Sequence, residues 1–259
     1  MALTKTVKIL ISLGIIVAVS AAVTVGIVIP LNNRNNNPPV IKFTLLYNAG
    51  IMIEVDGLRI FVDPVNFGLS FENNTADAVL TTHPHMDHFQ AWSFNMIQKE
   101  GTINVFPENM SYHIETYGGI GVNPGDQIQV GSVSVTAYYM YTLPVDIYPA
   151  SHPKENNWTS YIIDVGGFTF FHAGDSKNIT EYEDIAGTID VALLPLGPGC
   201  QTMFDMEVVD ALETLEAKYL IPIHYGPGVP ETFIANYGHL LENCEIIHLE
   251  YWSSYEFII

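Results

Sequence analysis

The sequence is poor in basic residues, with nine lysines and arginines against 28 acidic residues among 259, a formal charge of −19. Three of the nine lie in the first 34 residues, which contain no acid, so residues 35–259 set six bases against all 28 acids and carry −22. A surface of that charge repels phosphate backbones and anionic bilayers. The sequence shows no basic groove, and we therefore expect no nucleic-acid partner.

Cysteine is also scarce, since the chain has only Cys200 and Cys244. Neither belongs to a Cys-x-x-Cys pair or to a zinc-finger spacing, so the sequence gives no support to a zinc finger or a dithiol redox site. The two thiols could form one disulfide, but two separate buried thiols is the interpretation we favour. Charged residues make up only 14% of the chain and hydrophobic residues 48%, which excludes a disordered protein.

The longest apolar stretch without charge runs from residue 9 to residue 29. Its 21 residues would extend roughly 30 Å as a helix, which matches the hydrocarbon core of a bilayer. Lys5 and Lys8 precede the stretch and should remain in the cytoplasm, which would place the rest of the chain outside the cell. The sequence therefore predicts a single-pass anchor in the cell membrane.

A cleavable signal peptide is the alternative to this anchor, because Ser20-Ala21-Ala22 offers small residues near a cleavage position. The protein would then be secreted. The apolar stretch continues past Ala22 for seven residues, and for that reason we favour the uncleaved anchor. The predicted organisation is an anchor in residues 1–30, a solvated Asn/Pro linker in residues 31–40 and one domain in residues 41–259.

The remainder of the chain alternates between period-2 and helical patterns. The predicted strands are 41–47, 51–55, 58–62, 78–82, 103–106, 128–130, 132–139, 159–165, 168–172, 191–194, 219–223 and 245–249. The predicted helices are 89–99, 108–117, 205–217 and 231–241. Strand-rich halves interleaved with helices favour an α/β fold, of the α+β kind, with two sheets and helices packed outside them.

A cluster of polar residues follows the predicted strand 78–82, and it has the pattern His-x-His-x-Asp-His. His83 and His85 alternate along an extended chain, so both rings can face one metal ion. Asp87 and His88 come from the following turn and can face a second ion. Four loop residues that cluster by chance are the alternative, but the spacing favours a metal site.

Three more candidate ligands lie far along the chain. Asp175 follows Gly174 after an apolar strand, where an unpaired carboxylate would be costly without a cation. His152 lies in a proline-rich loop, and taken alone it fits a surface histidine equally well. His224 ends the apolar strand 219–223, where the alternative is a histidine satisfied within the core.

Four segments together resemble the metallo-β-lactamase superfamily. They are the His-x-His-x-Asp-His motif, Pro-Ala-Ser-His at 149–152, Phe-His-Ala-Gly-Asp at 171–175 and Ile-Pro-Ile-His-Tyr at 221–225. Within the superfamily the chain is similar to the metal-dependent hydrolase branch that includes L-ascorbate-6-phosphate lactonase and N-acyl-phosphatidylethanolamine phospholipase D, which residues 60–64 and 190–197 also match. The resemblance covers residues 41–250 and implies an αββα sandwich with metals at one edge between the sheets.

The resemblance further implies two metal ions with a shared carboxylate. The ligands would be His83, His85 and His152 for one ion and Asp87, His88 and His224 for the other, with Asp175 bridging. The catalytic residues would be Asp87, His88 and Asp175, and Asp87 is placed to steer the nucleophile or pass on a proton. Asp63 resembles the carboxylate that orients a ligand histidine, although a turn at a strand end explains it nearly as well. Nitrogen and oxygen ligands suit zinc, and they also allow manganese or iron.

Two cations about 3.5–4 Å apart can share a water and lower its pKa from ~15.7 towards ~7. The expected activity is therefore hydrolysis of an ester, lactone or phosphodiester in a small or lipid-like substrate by a bridging hydroxide. The alternatives are a non-catalytic metal-binding or sensory module and a nuclease of the same superfamily. A β-lactamase is possible by fold, but a fold does not fix a substrate.

Two segments near the expected site depart from the pattern of the branch, and a group of aromatic residues lies close to His152. Tyr47-Asn48-Ala49 stands where the branch often has Gly-His-Ala, and residues 197–203 differ from its usual Gly-Gly-x-Phe-Thr-Met. An aromatic group beside His152 would either line an apolar substrate pocket or pack within the fold. Its members are Tyr138, Tyr139, Tyr141, Tyr148 and Trp158.

Overall fold

The computed structural model describes residues 25–27 and 40–259. Within them the chain forms fifteen strands in two sheets. The strands are β1 (Val25–Ile27), β2 (Val40–Leu45), β3 (Ile51–Val55), β4 (Leu58–Val62), β5 (Ala78–Leu80), β6 (Ile103–Pro107), β7 (Ile120–Val122), β8 (Gln127–Val130), β9 (Val133–Tyr139), β10 (Thr159–Val165), β11 (Phe168–His172), β12 (Val191–Pro195), β13 (Tyr219–Ile223), β14 (Glu245–Ile246) and β15 (Ser254–Ile258). The α-helices are α1 (Ala91–Met96), α2 (Ser111–Tyr117), α3 (Asp205–Leu215) and α4 (Val229–Tyr237).

Each sheet contains both antiparallel and parallel strand pairs. The eight-stranded sheet has the order β1-β8-β9-β10-β11-β12-β13-β14, and the strands from β11 to β14 are parallel. The seven-stranded sheet has the order β15-β2-β3-β4-β5-β6-β7, and the strands from β4 to β7 are parallel. Parallel strands end at a common edge, which is where ligands bind in sheets of this kind.

The two sheets pack face to face, and alternate residues of each strand fill the space between them. Phe43 of β2 and Phe170 of β11 stack across this interface, with ring centroids 6.1 Å apart and ring planes at 7°. The neighbouring Phe171 points to the opposite face of its sheet, where it joins Leu212 of α3 and Phe233 of α4 in a second cluster. Burying each such side chain stabilises the fold by about 1.5–3 kcal/mol. The alternation of apolar residues along a strand therefore determines which face of its sheet packs against the other sheet.

A third apolar cluster covers the outer face of the seven-stranded sheet. It contains Phe61 of β4, Val79 of β5 and Phe106 of β6, packed against Phe94 of α1. The layers are therefore helix, sheet, sheet and helix, as the sequence predicted. In the described part of the chain, the mixed two-sheet architecture is confirmed.

Three strands were not predicted from the sequence, and two of them, β7 and β15, lie in the seven-stranded sheet. β7 is three residues long, and β15 pairs antiparallel with β2, at the other end of the domain sequence. The predicted closing strand 245–249 is reduced to Glu245–Ile246, so β15 and not β14 completes the fold. Only Phe257 of β15 is fully buried, which explains why its sequence pattern is weak.

The predicted anchor lies outside the described residues, apart from Val25–Ile27. Those three residues form β1, parallel to β8, and are not helical, so the prediction of a helix is wrong for them. Valine and isoleucine favour extended backbone, and the edge of β8 offers unpaired backbone groups to which such a segment can bond. No helix in residues 40–259 combines the length and the apolar character that crossing a bilayer requires. The predicted linker also lies outside the described residues, up to residue 39.

Candidate metal centre

All seven predicted ligands lie at one edge of the sandwich, on loops that follow strands. The loop after β5 carries His83, His85, Asp87 and His88. The remaining three are His152 in the loop between β9 and β10, Asp175 after β11 and His224 after β13. The strands therefore bring together side chains that are as much as 141 positions apart, counted from His83 to His224.

The chain reaches this edge through unusual backbone conformations. Asn48, Asp63 and His224 all have positive φ, at 60°, 47° and 52°. Such conformations cost free energy for residues other than glycine, and they persist where the surrounding contacts hold them. Gly174 also has positive φ, at 57°, and in addition a Cβ there would lie 2.6 Å from Sδ of Met140. The strand that precedes Asp175 can approach the rest of the site only because residue 174 has no side chain.

The first group of ligand atoms belongs to His83, His85 and His152, whose ligand atoms all lie within 4.8 Å of one another. Nε2 of His83 is 3.1 Å from Nδ1 of His85 and 3.2 Å from Nε2 of His152. The ring of Trp158 packs against all three imidazoles, with ring centroids 5.3–5.5 Å apart, and is itself buried. Trp158 therefore forms the apolar backing of this group.

Hydroxyl groups decide which nitrogen of two of these histidines faces inward. Oγ1 of Thr82 donates to Asp63 at 2.6 Å, so it must accept from Nδ1 of His83, 3.0 Å away. Oγ of Ser151 donates to the carbonyl of Cys200 and accepts from Nδ1 of His152 at 2.9 Å. In both histidines Nε2 then carries a lone pair, and the two lone pairs face each other. A cation between them would satisfy both.

Burial keeps these two histidines neutral. The pKa of His83 lies well below its usual value because the side chain is fully buried and because His88 and His152 are close. Burial likewise lowers the pKa of His152 to about 4, although Asp175 opposes the shift. A neutral imidazole is the form that binds metals.

The second group of ligand atoms belongs to Asp87, His88 and His224. Nε2 of His224 is 3.3 Å from Oδ2 of Asp87, and this contact holds the pKa of the Asp87 carboxyl far below its usual value. Nδ1 of His88 donates to Oδ2 of Asp63 at 2.7 Å, so Nε2 of His88 faces the site. This is the contact that the sequence predicted for Asp63, and the structure confirms it.

Asp175 lies between the two groups and is fully buried. Oδ1 is 3.0 Å from Nε2 of His88, and Oδ2 is 3.4 Å from Nε2 of both His152 and His224. None of these approaches has hydrogen-bond geometry, so both carboxylate oxygens and Nε2 of His88 are left without a partner. A buried carboxylate without a hydrogen bond is costly unless a positive charge compensates it.

The electrostatics of His88 point to the same requirement. Burial lowers its pKa, but the carboxylates of Asp175 and Asp63 outweigh burial and raise it well above the usual value. A positive charge beside the carboxylates of Asp175 and Asp63 therefore stabilises the centre. Orphaned ligand atoms, converging lone pairs and a set of nitrogen and oxygen donors together fit divalent metal ions.

Several other residues differ from expectation or were missed. Tyr138 and Tyr141 donate their hydroxyls to the backbone and side chain of Glu181 and pack beneath α3, so these two form part of the fold and not a substrate wall. Cys200 and Cys244 are both free, which confirms separate thiols, but the prediction of burial is wrong because Cys200 is exposed and Cys244 half-buried. The two thiols are accessible to solvent because Cys200 and Cys244 each lie in a short turn after a strand or a helix.

Asn48, Thr82 and Cys200 lie at the site although the sequence did not assign them to it. Nδ2 of Asn48 donates to the backbone oxygen of Asp87 at 3.2 Å, and the carbonyl of Asn48 accepts from the backbone N–H of His224 at 3.1 Å. The segments containing Asn48 and Cys200 were noted only because they depart from the branch. Nε2 of His172 donates to the carbonyl of Ala49 at 2.7 Å, so this nitrogen is used within the fold.

Comparison with known proteins agrees with this geometry. Residues 42–224 match the family model described as the beta-lactamase superfamily domain. A metal-dependent hydrolase of Pyrococcus furiosus is 30% identical over 209 residues, which cover 74% of this chain and 87% of that protein. A metal-dependent hydrolase of Anoxybacillus flavithermus is 27% identical over 198 residues, covering 71% and 85% of the two chains.

Solved structures show the same fold. A metallo hydrolase of Ignicoccus hospitalis superposes with a TM-score of 0.70 at 22% identity, covering 84% of this chain and 98% of that one. A metallo-beta-lactamase fold protein of Bacillus subtilis superposes with a TM-score of 0.69 at 15% identity, covering 85% and 100%. The chain therefore belongs to the metallo-β-lactamase superfamily, among its metal-dependent hydrolases.

Proposed function

We propose that this protein is a dinuclear-metal hydrolase that cleaves an ester, lactone or phosphodiester bond. The observation that carries the proposal is the position of the Asp175 carboxylate, which faces ligand nitrogens of both groups at 3.0–3.9 Å. A buried carboxylate between two sets of ligand atoms suits a bridge between two cations better than it suits one closed site. The ions are proposed to be zinc, and the same ligands allow manganese or iron.

When bound, two such cations lower the pKa of a shared water and stabilise charge that develops on the substrate oxygens. The residues of the chain supply orientation. Asp63 and Thr82 fix the imidazoles, and Trp158 excludes water from the buried side. Asp87 faces the open side with 45% of its side chain exposed, and because its pKa is lowered its carboxylate stays ionised and can orient the nucleophile by accepting a hydrogen bond.

A non-catalytic metal-binding or sensory module is the second candidate. A purely structural metal site is usually closed, with four protein ligands around the ion. Here Met86 is exposed and Asp87 and His85 are half-buried, so one side of the centre is open to solvent. That opening favours catalysis, because a substrate can reach the ligand atoms.

A lipid-like substrate is part of the proposal. Met86, between two ligands, is 81% exposed, and Ile147, five residues before His152, is 87% exposed. Leu143 and Tyr148 are exposed in the same loop. Apolar side chains on these two of the four ligand-bearing loops suit acyl chains better than they suit a charged substrate. The resemblance to a sugar-phosphate lactonase keeps a small lactone as the other substrate class.

We also propose that the domain works outside the cell, anchored at the membrane through residues 1–30. The support is the sequence from residue 9 to residue 29, which is apolar and uncharged and follows Lys5 and Lys8. An anchor would hold the exposed apolar loops near lipid. Secretion after signal-peptide cleavage is the alternative location.

The test is turnover of four substrate classes by the purified protein: an aryl phosphodiester, an aryl ester, a lactone and a phospholipid in mixed micelles. Turnover of at least one class should stop with chelator and return with zinc or manganese, since the metals supply several kcal/mol of stabilisation. His83→Ala should abolish it, whereas His239→Ala, at an exposed position in the short turn after α4, should not. Turnover that survives chelation would refute the proposal, and metal binding without any turnover would favour the sensory module.

A further inference from the structure

The loop between β12 and α3 brings a cysteine to the metal centre. Cys200 lies in the short turn Gly199–Gln201, and both Cys200 and Gln201 have left-handed backbone, with φ of 54° and 61°. Two consecutive residues other than glycine in that region cost conformational free energy. Such a conformation persists only where other contacts hold it.

Those contacts come from the loop that carries His152. Oγ of Ser151 donates to the carbonyl of Cys200, and the backbone N–H of Ser151 donates to Oε1 of Gln201 at 2.7 Å. Nε2 of Gln201 in turn donates to the carbonyl of Pro149 at 3.1 Å. Ser151 also holds Nδ1 of His152, so one serine positions both a metal ligand and the cysteine turn.

The clamped turn directs the thiol at the centre. Sγ of Cys200 lies within 4.8 Å of a carboxylate oxygen of Asp175 and of a ring nitrogen of His224, and those two atoms also lie within 4.8 Å of each other. Asp175 is fully buried, and neither of its oxygens has a hydrogen-bond partner. The unpartnered carboxylate and the thiol therefore face the same point from two different loops.

Three donors around one point are sufficient to hold a metal ion. We propose that Cys200 is a further ligand of the cation held by Asp175 and His224. This inference rests on the metal centre of the proposed function. On binding, the S–H bond of Cys200 breaks, the proton leaves to solvent, and a sulfur–metal bond forms without any change in oxidation state. A thiolate is a soft ligand, so this position selects zinc over manganese.

Cobalt substitution tests the proposal directly, because a thiolate bound to Co²⁺ gives an intense near-ultraviolet charge-transfer band. The full chain loaded with Co²⁺ should show this band, and Cys200→Ser should lack it. Cys244→Ser is the matched control, since Cys244 is half-buried at the end of the domain and belongs to the cluster beneath α3 and α4. The control should keep the band.

Metal affinity gives a second readout. Cys200→Ser should weaken zinc binding at one position by at least about tenfold, because even residues that only orient a ligand cost 10–100-fold when mutated. Manganese binding should change much less. Zinc should also protect Cys200 from alkylation by iodoacetamide in the wild-type protein.

The outcomes separate this inference from the proposed function. If the wild-type chain binds cobalt without a charge-transfer band, or if Cys200→Ser keeps the band, Cys200 is not a ligand and the two-metal centre still stands. If zinc leaves the alkylation rate of Cys200 unchanged, the inference fails in the same way. A wild-type chain that binds no metal at all overturns both.

Discussion

Asp175→Asn is expected to lower hydrolytic turnover by about a thousandfold or more. The amide keeps the size of the side chain but removes the negative charge that faces His88, His152 and His224. Without that charge the ligand nitrogens cannot hold two cations close together, and the several kcal/mol that the metals supply to the transition state are lost. Steady-state kinetics and the metal content per chain should fall together, with at least one ion lost.

The matched control for this substitution is Asp210→Asn on the solvent-exposed face of α3. It makes the same change of charge and shape far from the centre, so turnover and metal content should stay within experimental error of the wild type. Asp175→Asn protein that keeps its full metal content and most of its turnover would contradict the bridging role of this carboxylate.

Asp63→Asn is expected to weaken metal binding by about 10–100-fold, the usual cost of removing a partner that orients a ligand. The oxygen of the amide can still accept from the backbone N–H of Thr82, as Oδ1 of Asp63 does at 2.8 Å. The NH₂ group then faces Nδ1 of His88 and donates to it. That contact puts the proton on Nε2 of His88, the nitrogen that must face the metal.

Asparagine tolerates left-handed backbone, so the φ of 47° at residue 63 should not cause misfolding. Asp164→Asn is the control, because Asp164 accepts one backbone hydrogen bond from Gly167 in a hairpin remote from the site. Isothermal titration with zinc measures the effect. Equal zinc affinity in wild type and Asp63→Asn would show that this carboxylate does not set the orientation of His88.

The residues that meet at the candidate metal centre could be found from the sequence because their signals are local. The His-x-His-x-Asp-His motif lies within six residues, and Asp175 and His224 each end an apolar strand that periodicity reveals. Parallel strands then meet at one edge whatever the details of packing. The alternation of apolar and polar residues along the strands also predicts which side chains are buried. The four-layer arrangement of helices and sheets follows from the same pattern.

The missed residues depend on contacts between distant parts of the chain. The turn at Cys200 owes its conformation to Ser151, 49 residues earlier, and Asn48 reaches Asp87 across 39 residues. The left-handed backbone at Cys200 and Gln201 carries no sequence signal, because neither residue type favours that conformation. β15 shows the same limit, because it gains its pairing only where β2 leaves an open edge. The roles of Tyr138 and Tyr141 were equally undecidable, since a tyrosine in a core and one in a pocket have the same sequence.

The central claim is that seven side chains on four loops hold two cations with Asp175 between them. The most direct measurement is elemental analysis of the wild-type chain after zinc loading and removal of free metal. We expect two zinc ions per chain. The number of bound ions should fall when His83 or His224 is replaced by alanine, and it should stay at two when the exposed His239 is replaced. A chain that retains no metal, or one whose two ions survive all of these substitutions, would contradict it.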